Sequence, residues 1–282
     1  MKYAFLIALN SLFPLFVHGQ YLIRGKVTDS EHLPIPYVNI GFTGTSIGTV
    51  STVLGEFSLY LSEIPDKAIP LTFSCMGFAS REVQLSPELI NQSLQVQMEA
   101  NSIELQELLV RSGAFKKREY GNNDETTAMK TNLAISDKPN MNLGAQVGRK
   151  FRLGDTDNFV SKLKFYVAFN NFDSLLIRVN FYGIESGKPG RQLNSKQIVS
   201  QVVNHKNGWV TFDLEDENIV LSGTIVAAIE WIGAGQRGSA FGLNINMPAL
   251  FQTHYYRYGA QNTWKVFPNM SASMVLIVES EE

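Results

Sequence analysis

The chain has 282 residues, which is enough for one large domain or two modest ones. Hydrophobic residues make up 44% of it and charged residues only 18%, a composition that supports packed cores and excludes wholesale disorder. The formal net charge of −2 excludes a broadly basic surface, so we expect no nucleic-acid partner and no polybasic membrane patch.

The N-terminus predicts an export signal. Lys2 supplies a positive charge, the stretch from Ala4 to Val17 is mostly apolar, and Gly19 ends a small-residue cleavage site. Because this stretch is shorter than the roughly 20 residues of a membrane-spanning helix, we predict that residues 1–19 are a signal peptide and that no transmembrane segment remains after cleavage. A buried N-terminal strand or helix is the alternative. The expected location is the periplasm, the outer-membrane surface or the extracellular space.

Residues 20–99 carry the pattern of a small β-sandwich. Apolar and polar residues alternate in short runs, as in half-buried strands, and glycines and prolines separate the runs. The residues expected to share one strand face include Val38, Ile40 and Phe42 in one run and Phe57, Leu59 and Leu61 in another. About seven such strands in about 80 residues predict an antiparallel sandwich.

Residues 100–143 lack a sustained periodicity. They are polar and mixed in charge, and they include the basic cluster Lys116, Lys117 and Arg118. We predict that they form a linker in which this cluster is solvated.

Residues 144–282 return to strand patterns and show no helical periodicity. About eight or nine strands predict a second β-sandwich of jelly-roll type. Asn207-Gly208 lies between the strand patterns Ile198–Val203 and Trp209–Leu214, which predicts a hairpin. The fold class expected for the chain is therefore all-β, with two sandwiches.

The first sandwich resembles a known family. The resemblance rests on the segments Gly25–Asp29, Pro34–Ile40, Gly44-Thr45, Gly48-Thr49, Gly55–Leu59 and Leu71–Phe78. In order and spacing they are similar to the carboxypeptidase regulatory-like domain, which implies a transthyretin-like, seven-stranded sandwich of the Bacteroidetes cell envelope. Gly25 and Gly55 suit close backbone approach or a positive φ. Val53-Leu54 stands where the family has an acidic residue, so no polar role is carried over to that position.

The run Leu105–Val110 resembles the segment that follows this domain in TonB-dependent outer-membrane receptors. A barrel of about 22 strands with roughly 10 residues each cannot fit into residues 111–282. We therefore expect the chain to share the N-terminal module of those receptors without being one of them.

The sequence offers no catalytic constellation. His32, His205 and His254 lack the spacing of a zinc peptidase, and no Gly-x-Ser-x-Gly motif occurs. Cys75, the one cysteine, alternates with Leu71 and Phe73, which predicts a buried, unreactive thiol and no intramolecular disulfide. We therefore predict no catalytic residue, no metal ligand and no cofactor.

Two loop clusters leave calcium binding open as an alternative. The acids and amides that could supply oxygen ligands are Asp155, Asp157 and Asn158 in one loop and Asp213, Glu215, Asp216 and Glu217 in the other. Neither cluster matches an EF-hand, so solvated loop acids are the favoured interpretation.

Aromatic residues crowd near the C-terminus and could stack on sugars. Our candidate ligand-binding residues are Tyr256, Tyr258 and Trp264. Packing in the core is the competing interpretation, because strands favour aromatic residues.

These observations predict a non-catalytic, exported cell-envelope protein that acts as a binding or scaffold module. Its partner would be another envelope protein or a glycan. The alternatives are a carbohydrate-binding module for glycan capture and a hydrolase with a dispersed active site.

Overall fold

The computed structural model describes residues 21–63, 65–66, 69–90, 92–101, 114–127, 129–134 and 142–281. Across these residues the protein is all-β, interrupted by the short 3-10 turns Pro87–Leu89 and Glu215–Glu217. The predicted all-β class is confirmed. The predicted signal peptide and the run Leu105–Val110 lie outside the described residues. No helix in the described part of the chain is long and apolar enough to cross a membrane.

The first sandwich has seven strands, as predicted. They are β1 (Tyr21–Thr28), β2 (Asn39–Phe42), β3 (Gly48–Val50), β4 (Glu56–Leu61), β5 (Leu71–Ser74), β6 (Arg81–Val83) and β7 (Ser93–Gln97). One sheet has the order β4-β1-β7 and the other the order β3-β2-β5-β6. All pairs are antiparallel except β1 with β7, which is parallel.

Strict alternation builds this core. In β4, Phe57, Leu59 and Leu61 are buried while the residues between them are exposed. Because side chains alternate across a strand, one apolar face of β4 packs inward. These residues join a core cluster with Ile23 and Phe73 from β1 and β5.

Two glycines allow close backbone approach in this sandwich. A Cβ on Gly25 would lie 2.2 Å from the carbonyl oxygen of Leu94, on the neighbouring strand β7. Gly55 has a φ of +74°, and a Cβ there would lie 2.4 Å from the carbonyl oxygen of Val27. Both positions therefore require glycine, which confirms the structural role expected for them.

The second sandwich contains the remaining fifteen strands. They are β8 (Phe115–Gly121), β9 (Met129–Asn132), β10 (Ala145–Arg152), β11 (Asn158–Asn170), β12 (Ser174–Glu185), β13 (Lys188–Gln192), β14 (Ile198–Val203), β15 (Gly208–Asp213), β16 (Val220–Leu221), β17 (Thr224–Ala234), β18 (Phe241–Asn246), β19 (Thr253–Arg257), β20 (Lys265–Pro268), β21 (Ser271–Ala272) and β22 (Met274–Glu281). A seven-stranded sheet has the order β13-β12-β17-β10-β19-β20, with β14 also paired to β12. An eight-stranded sheet has the order β21-β18-β11-β22-β8, with β15 and β16 on β11 and β9 on β18.

The linker prediction for residues 100–143 is wrong for two segments. Strand β8 pairs along β22, and β9 pairs with β18, so both belong to the eight-stranded sheet. The four residues Lys116–Glu119 of β8 are exposed. A charged edge strand disfavours pairing with a further strand. Because β8 is charged, it lacks the apolar alternation by which strands are recognised in a sequence.

The hairpin predicted at Asn207-Gly208 is also wrong. Strand β14 pairs with β12 in the seven-stranded sheet, whereas β15 pairs with β11 in the eight-stranded sheet. The connection is therefore a corner between the two layers. Asn204, with a φ of +52°, and Gly208, with a φ of +109°, turn the chain at this corner.

The two sandwiches contact each other directly. Val50 of β3 belongs to the core cluster of the second sandwich, and Gly48 forms an isolated bridge with Asn142. A Cβ on Gly48 would lie 3.2 Å from the main-chain nitrogen of Ala260 in the second sandwich. The interface is therefore close-packed at this point.

Candidate functional site

A row of polar residues crosses the outer face of the seven-stranded sheet. In β12, Ile177 and Val179 face the core, so Arg178 points to the opposite face. The strand registers place Arg178 opposite Glu230 of β17, Glu230 opposite Gln146 of β10, and Gln146 opposite Arg257 of β19. We call these four residues the polar row.

The first sandwich contacts this row at Arg178, which joins the two sandwiches. Its Nε donates to Glu230 Oε2 at 2.8 Å. Its Nη1 donates to the main-chain oxygen of Tyr37 at 2.8 Å, and its Nη2 donates to Asn39 Oδ1 at 2.8 Å. One guanidinium thus satisfies acceptors on both sandwiches.

Two amides of the second sandwich add to the same interface. Gln197 Nε2 lies 3.2 Å from the sulfur of Cys75. Gln261 Nε2 donates to Ser74 Oγ at 2.8 Å and to the main-chain oxygen of Asn39 at 3.2 Å. Contacts with β2 and with the end of β5 therefore fix the first sandwich over the polar row.

Glu230 is 1% exposed, and only one of its two carboxylate oxygens accepts hydrogen bonds from the described residues. Its Oε2 accepts from Arg178 and also from Asn180 Nδ2, at 2.7 Å. Its Oε1 accepts no hydrogen bond from the described residues. Arg257 Nη2 lies 3.8 Å from this Oε1, and Arg257 Nε also lacks a hydrogen-bond partner among the described residues.

Glu230 and Arg257 line a pocket between the sandwiches with a volume of about 230 Å³, which we call the interdomain pocket. The first sandwich contributes Asn39, Ser74, Cys75 and Met76 to its wall. The second contributes Arg178, Glu230 and Arg257, together with the amides Asn180, Gln192 and Gln197. Because both sandwiches supply walls, the pocket exists only in the assembled pair.

Aromatic packing supports one side of the pocket. The guanidinium of Arg257 lies over the ring of Trp264, 5.3 Å from its centroid. The Trp264 ring also packs edge-on against Tyr182, whose hydroxyl donates to Gln146 Oε1 at 3.0 Å. This contact orients Arg257 toward Glu230.

Three titratable groups in the pocket each have one ionisation state at neutral pH. Burial would raise the pKa of Glu230, but the charge and the hydrogen bond of Arg178 outweigh it and hold that pKa below its usual value. Burial raises the pKa of the Cys75 thiol to about 11 and also raises the pKa of Tyr182. Glu230 is therefore ionised at neutral pH, while Cys75 and Tyr182 are neutral.

A second groove between the sandwiches is larger, at about 640 Å³. Its walls include the aliphatic side chains of Val50, Leu143, Leu176 and Ile232. The charged residue in its lining is Glu56, which is exposed. Its buried polar residues, Thr49 and Ser51, carry no charge, so the interdomain pocket is the better candidate site.

The aromatic residues predicted to bind ligand do not form one exposed surface. Tyr256 is 5% exposed, and its hydroxyl donates to the main-chain oxygen of Asn132 at 2.8 Å. Tyr258 is 40% exposed and packs on Tyr256, with ring centroids 4.2 Å apart. Trp264 is partly buried, and its ring packs under Arg257, which lines the interdomain pocket.

His254 and the acidic loop, which were candidates in the sequence, are buried or paired with other side chains. His254 is 3% exposed, and burial lowers its pKa to about 4. In the acidic loop, Asp213 pairs with Lys162 at 2.7 Å and Glu217 pairs with Lys196 at 2.8 Å. Within the described residues, no group of three or more His, Cys, Asp or Glu side chains could hold a metal ion.

The polar row was not predicted from the sequence. One signal was available, because Glu230 is the single charged residue in the otherwise apolar strand Thr224–Ala234. A lone acid in such a strand needs a buried partner. The identity of that partner, Arg178, depends on the register between β12 and β17 and cannot be read from the spacing of residues in the sequence.

Comparison with known proteins assigns the first sandwich. Residues 23–110 match the sequence model of the CarboxypepD_reg-like domain. No curated protein matches the chain significantly.

Solved structures show only distant similarity. One contains the cysteine protease and lectin-like domains of Cwp84, a surface layer associated protein of Clostridium difficile; it is 9% identical with a TM-score of 0.41, and the match covers 93% of this chain and 63% of that one. The Gx strain structure of infectious bursal disease virus is 12% identical with a TM-score of 0.27, over 93% of this chain and 60% of that one. Scores this low carry no functional information. The identification therefore rests on the sequence match together with the seven-stranded sandwich: residues 23–110 are a carboxypeptidase regulatory-like domain.

Proposed function

We propose that the protein is an exported, non-catalytic cell-envelope protein in which two sandwiches form one scaffold and bind a small partner at the interdomain pocket. The observation that supports this most is the interdomain pocket itself, which both sandwiches enclose and which Arg178, Glu230 and Arg257 line. A concave site lined by a few charged and amide side chains is typical of a ligand site.

Binding is favoured over catalysis by the charge states in the pocket. A general base works best with a pKa near the ambient pH, whereas the pKa of Glu230 is held low by Arg178. The thiol of Cys75, with a pKa near 11, is a poor nucleophile. A hydrolase would need a second proton-transfer group beside Glu230. Tyr182 and Cys75 also line the pocket, but burial raises the pKa of both and keeps them protonated at neutral pH.

Glycan capture by Tyr256, Tyr258 and Trp264 has weaker support. Sugar stacking requires an accessible ring face, and Tyr256 is buried. A polysaccharide pull-down in which Trp264→Ala retains as little as the wild type would remove this alternative. Retention lost on that substitution alone would favour it.

Two measurements test the proposal. The purified protein is expected to show no turnover of peptide, glycan or ester substrates; turnover that disappears in Glu230→Gln would overturn the non-catalytic assignment. Fractionation of cells that express the native gene is expected to recover the protein in the envelope or the medium. Recovery in the cytoplasm would contradict export.

A further inference from the structure

We propose that the second groove, of about 640 Å³, binds an uncharged, apolar peptide segment of another protein, which pairs as an added strand with the open edge of β4. This inference goes beyond the proposed function, because it concerns a different surface and does not depend on the interdomain pocket. It follows from the direction of the main-chain groups of β4, from the shape of the groove and from the character of its walls.

One edge of β4 is open. Among the described residues β4 pairs with β1 alone, and it stands at the end of the sheet order β4-β1-β7. Strand β3, which lines the same groove, stands at the end of the other sheet of the first sandwich. The groove therefore runs along the side of this sandwich where both sheets end. A strand edge in such a place presents unpaired N–H and C=O groups.

The register decides which groups of β4 point outward. The N–H of Val27 in β1 donates to the main-chain oxygen of Gly55 at 2.9 Å, which marks a bonded pair just before β4. Because antiparallel partners alternate between bonded and non-bonded pairs, every second residue counted from Gly55 bonds to β1. Ser58 and Tyr60 lie between those positions, so their N–H and C=O groups point away from β1. Both residues line the groove.

The turn before β4 sets where the open edge begins. Thr52 N–H donates to the main-chain oxygen of Glu56 at 2.8 Å, and Thr52 Oγ1 accepts from Glu56 N–H at 3.3 Å. The outward groups of Glu56 are thus already paired within the chain. Beyond Glu56, the residues Ser58 and Tyr60 offer two donors and two acceptors to an incoming strand.

The shape of the groove admits a single extended chain. Its far wall is the second sandwich, including Leu176 of β12 and Gly233 of β17. A strand with its side chains has a cross-section of about 5 by 10 Å, so a groove of about 640 Å³ holds roughly four residues. The sheet edge of a second folded copy would bring its neighbouring strands against the far wall. An extended segment is therefore the occupant that fits.

The walls of the groove favour an uncharged, apolar segment. Val53, in the turn before β4, is 59% exposed and Tyr60 is 43% exposed, and both line the groove. The charged residue in the lining, Glu56, lies opposite Lys26 on β1, so the local charge is balanced. A segment rich in Val, Ile and Thr would pack on these side chains and favour the extended conformation, while its main chain pairs with the edge.

Amide hydrogen exchange, measured by NMR on the full chain, first tests the unliganded protein. The N–H groups of Phe57 and Leu59 bond to β1, whereas those of Ser58 and Tyr60 face the open edge. We expect Ser58 and Tyr60 to exchange at least about tenfold faster than their two neighbours in the strand. Slow exchange at Ser58 and Tyr60 would mean that another part of the chain already pairs with this edge, and would overturn the inference.

A phage-displayed library of short random peptides supplies the probe. We expect the full chain to enrich uncharged, apolar sequences. The most enriched one, as a synthetic peptide, should slow exchange at Ser58 and Tyr60 by about tenfold or more. Methylation of its amide nitrogens one at a time should weaken binding at every second residue, because only alternate N–H groups of a strand face its partner.

Variants locate the site. Ser58→Pro removes one outward N–H and should weaken peptide binding by about tenfold or more. Proline is tolerated on an edge strand where the N–H faces away from the sheet, so the bonds from β4 to β1 should remain. Val53→Lys should also weaken binding, because it places a charge in the lining. Leu250→Lys is the matched control, since Leu250 is 67% exposed and lies outside the lining. If Ser58→Pro does not fold, Val53→Lys and the methylated peptides test the same claim.

Several results would contradict the added strand. They are the absence of enriched peptides, peptides that leave exchange at Ser58 and Tyr60 unchanged, methylation effects without alternation, and equal affinity of the wild type and the groove variants. A dimer in light scattering that Ser58→Pro dissociates would assign the edge to a second copy and would also overturn the inference. None of these results bears on the turnover and fractionation experiments, which test the proposed function separately.

Discussion

Arg178 of the second sandwich donates a 2.8 Å hydrogen bond to the main-chain oxygen of Tyr37 in the first. Tyr37 has a φ of +56°, an uncommon conformation for a bulky residue that costs about 1–3 kcal/mol. Its side chain packs against the core of the second sandwich. A strained residue is thus held by contacts from the opposite sandwich, as expected where an interface rather than local preference sets the backbone.

Replacing Arg178 by Met should destabilise the protein strongly. The substitution removes the nearer of the two arginines that pair with buried Glu230, and breaking a buried pair costs about 3–5 kcal/mol. Urea unfolding at pH 7 measures the loss. Lys196→Met is the control, because Lys196 pairs with Glu217 at an exposed site, and such pairs contribute about 1 kcal/mol or less. Equal costs for the two variants would contradict the role given to Arg178.

Cys75 should report on the contact between the sandwiches. Its thiol has a pKa raised to about 11 by burial, and Gln197 of the second sandwich lies 3.2 Å from its sulfur. We expect iodoacetamide at pH 8 to label native protein at least about tenfold more slowly than unfolded protein. Arg178→Met should speed labelling at urea concentrations where the fold persists. Fast labelling of the wild type would show that Cys75 is not held at a closed interface.

Stability should fall between about pH 6.5 and pH 4 because of His254. Burial lowers the pKa of His254 from 6.5 to about 4, so the unfolded chain takes up a proton in this range while the folded protein does not. The stabilisation is present above pH 6.5 and is lost as the pH falls toward 4. A shift of one pKa unit corresponds to about 1.4 kcal/mol, so the free energy of unfolding should fall by about 3 kcal/mol over this range.

His254→Phe tests this dependence, because Phe matches the ring packing on Phe267 and Tyr256 and cannot titrate. Urea unfolding of both proteins at intervals from pH 7 to pH 4.5 should give a smaller fall in free energy of unfolding for the variant. Parallel curves would mean that His254 takes up its proton without unfolding.

Gly55→Ala should cost more stability than Gly44→Ala. Both glycines have positive φ, +74° and +78°, so both substitutions carry a backbone cost of about 1–2 kcal/mol. Only at Gly55 would the new methyl lie 2.4 Å from a main-chain oxygen, whereas nothing lies within 4 Å at Gly44. Thermal unfolding of the two variants measures the difference. A loss at Gly55 no greater than at Gly44 would show that the strand pair can move apart freely.

The first sandwich was predictable because its strands obey a local rule. Phe57, Leu59 and Leu61 alternate with exposed residues in the sequence and do so in the structure. Gly25 and Gly55 occupy positions where the backbones approach, as the family resemblance implied.

The polar row was not predictable, because its burial has a non-local cause. On an uncovered sheet the outward residues Arg178 and Glu230 would face water, as their alternation with Ile177 and Ile229 suggests. They are buried because the first sandwich docks on that face. Strand β8 was missed for a related reason: it is recognised by its pairing with β22, and its own side chains are charged.

Differential scanning calorimetry tests most directly the central claim, that the two sandwiches form one unit whose interface creates the site. The claim predicts a single transition for the wild type, with equal calorimetric and van't Hoff enthalpies. In Arg178→Met the same measurement should show a lower midpoint and a van't Hoff enthalpy below the calorimetric value. Two independent transitions in the wild type, with midpoints that Arg178→Met leaves unchanged, would contradict the claim.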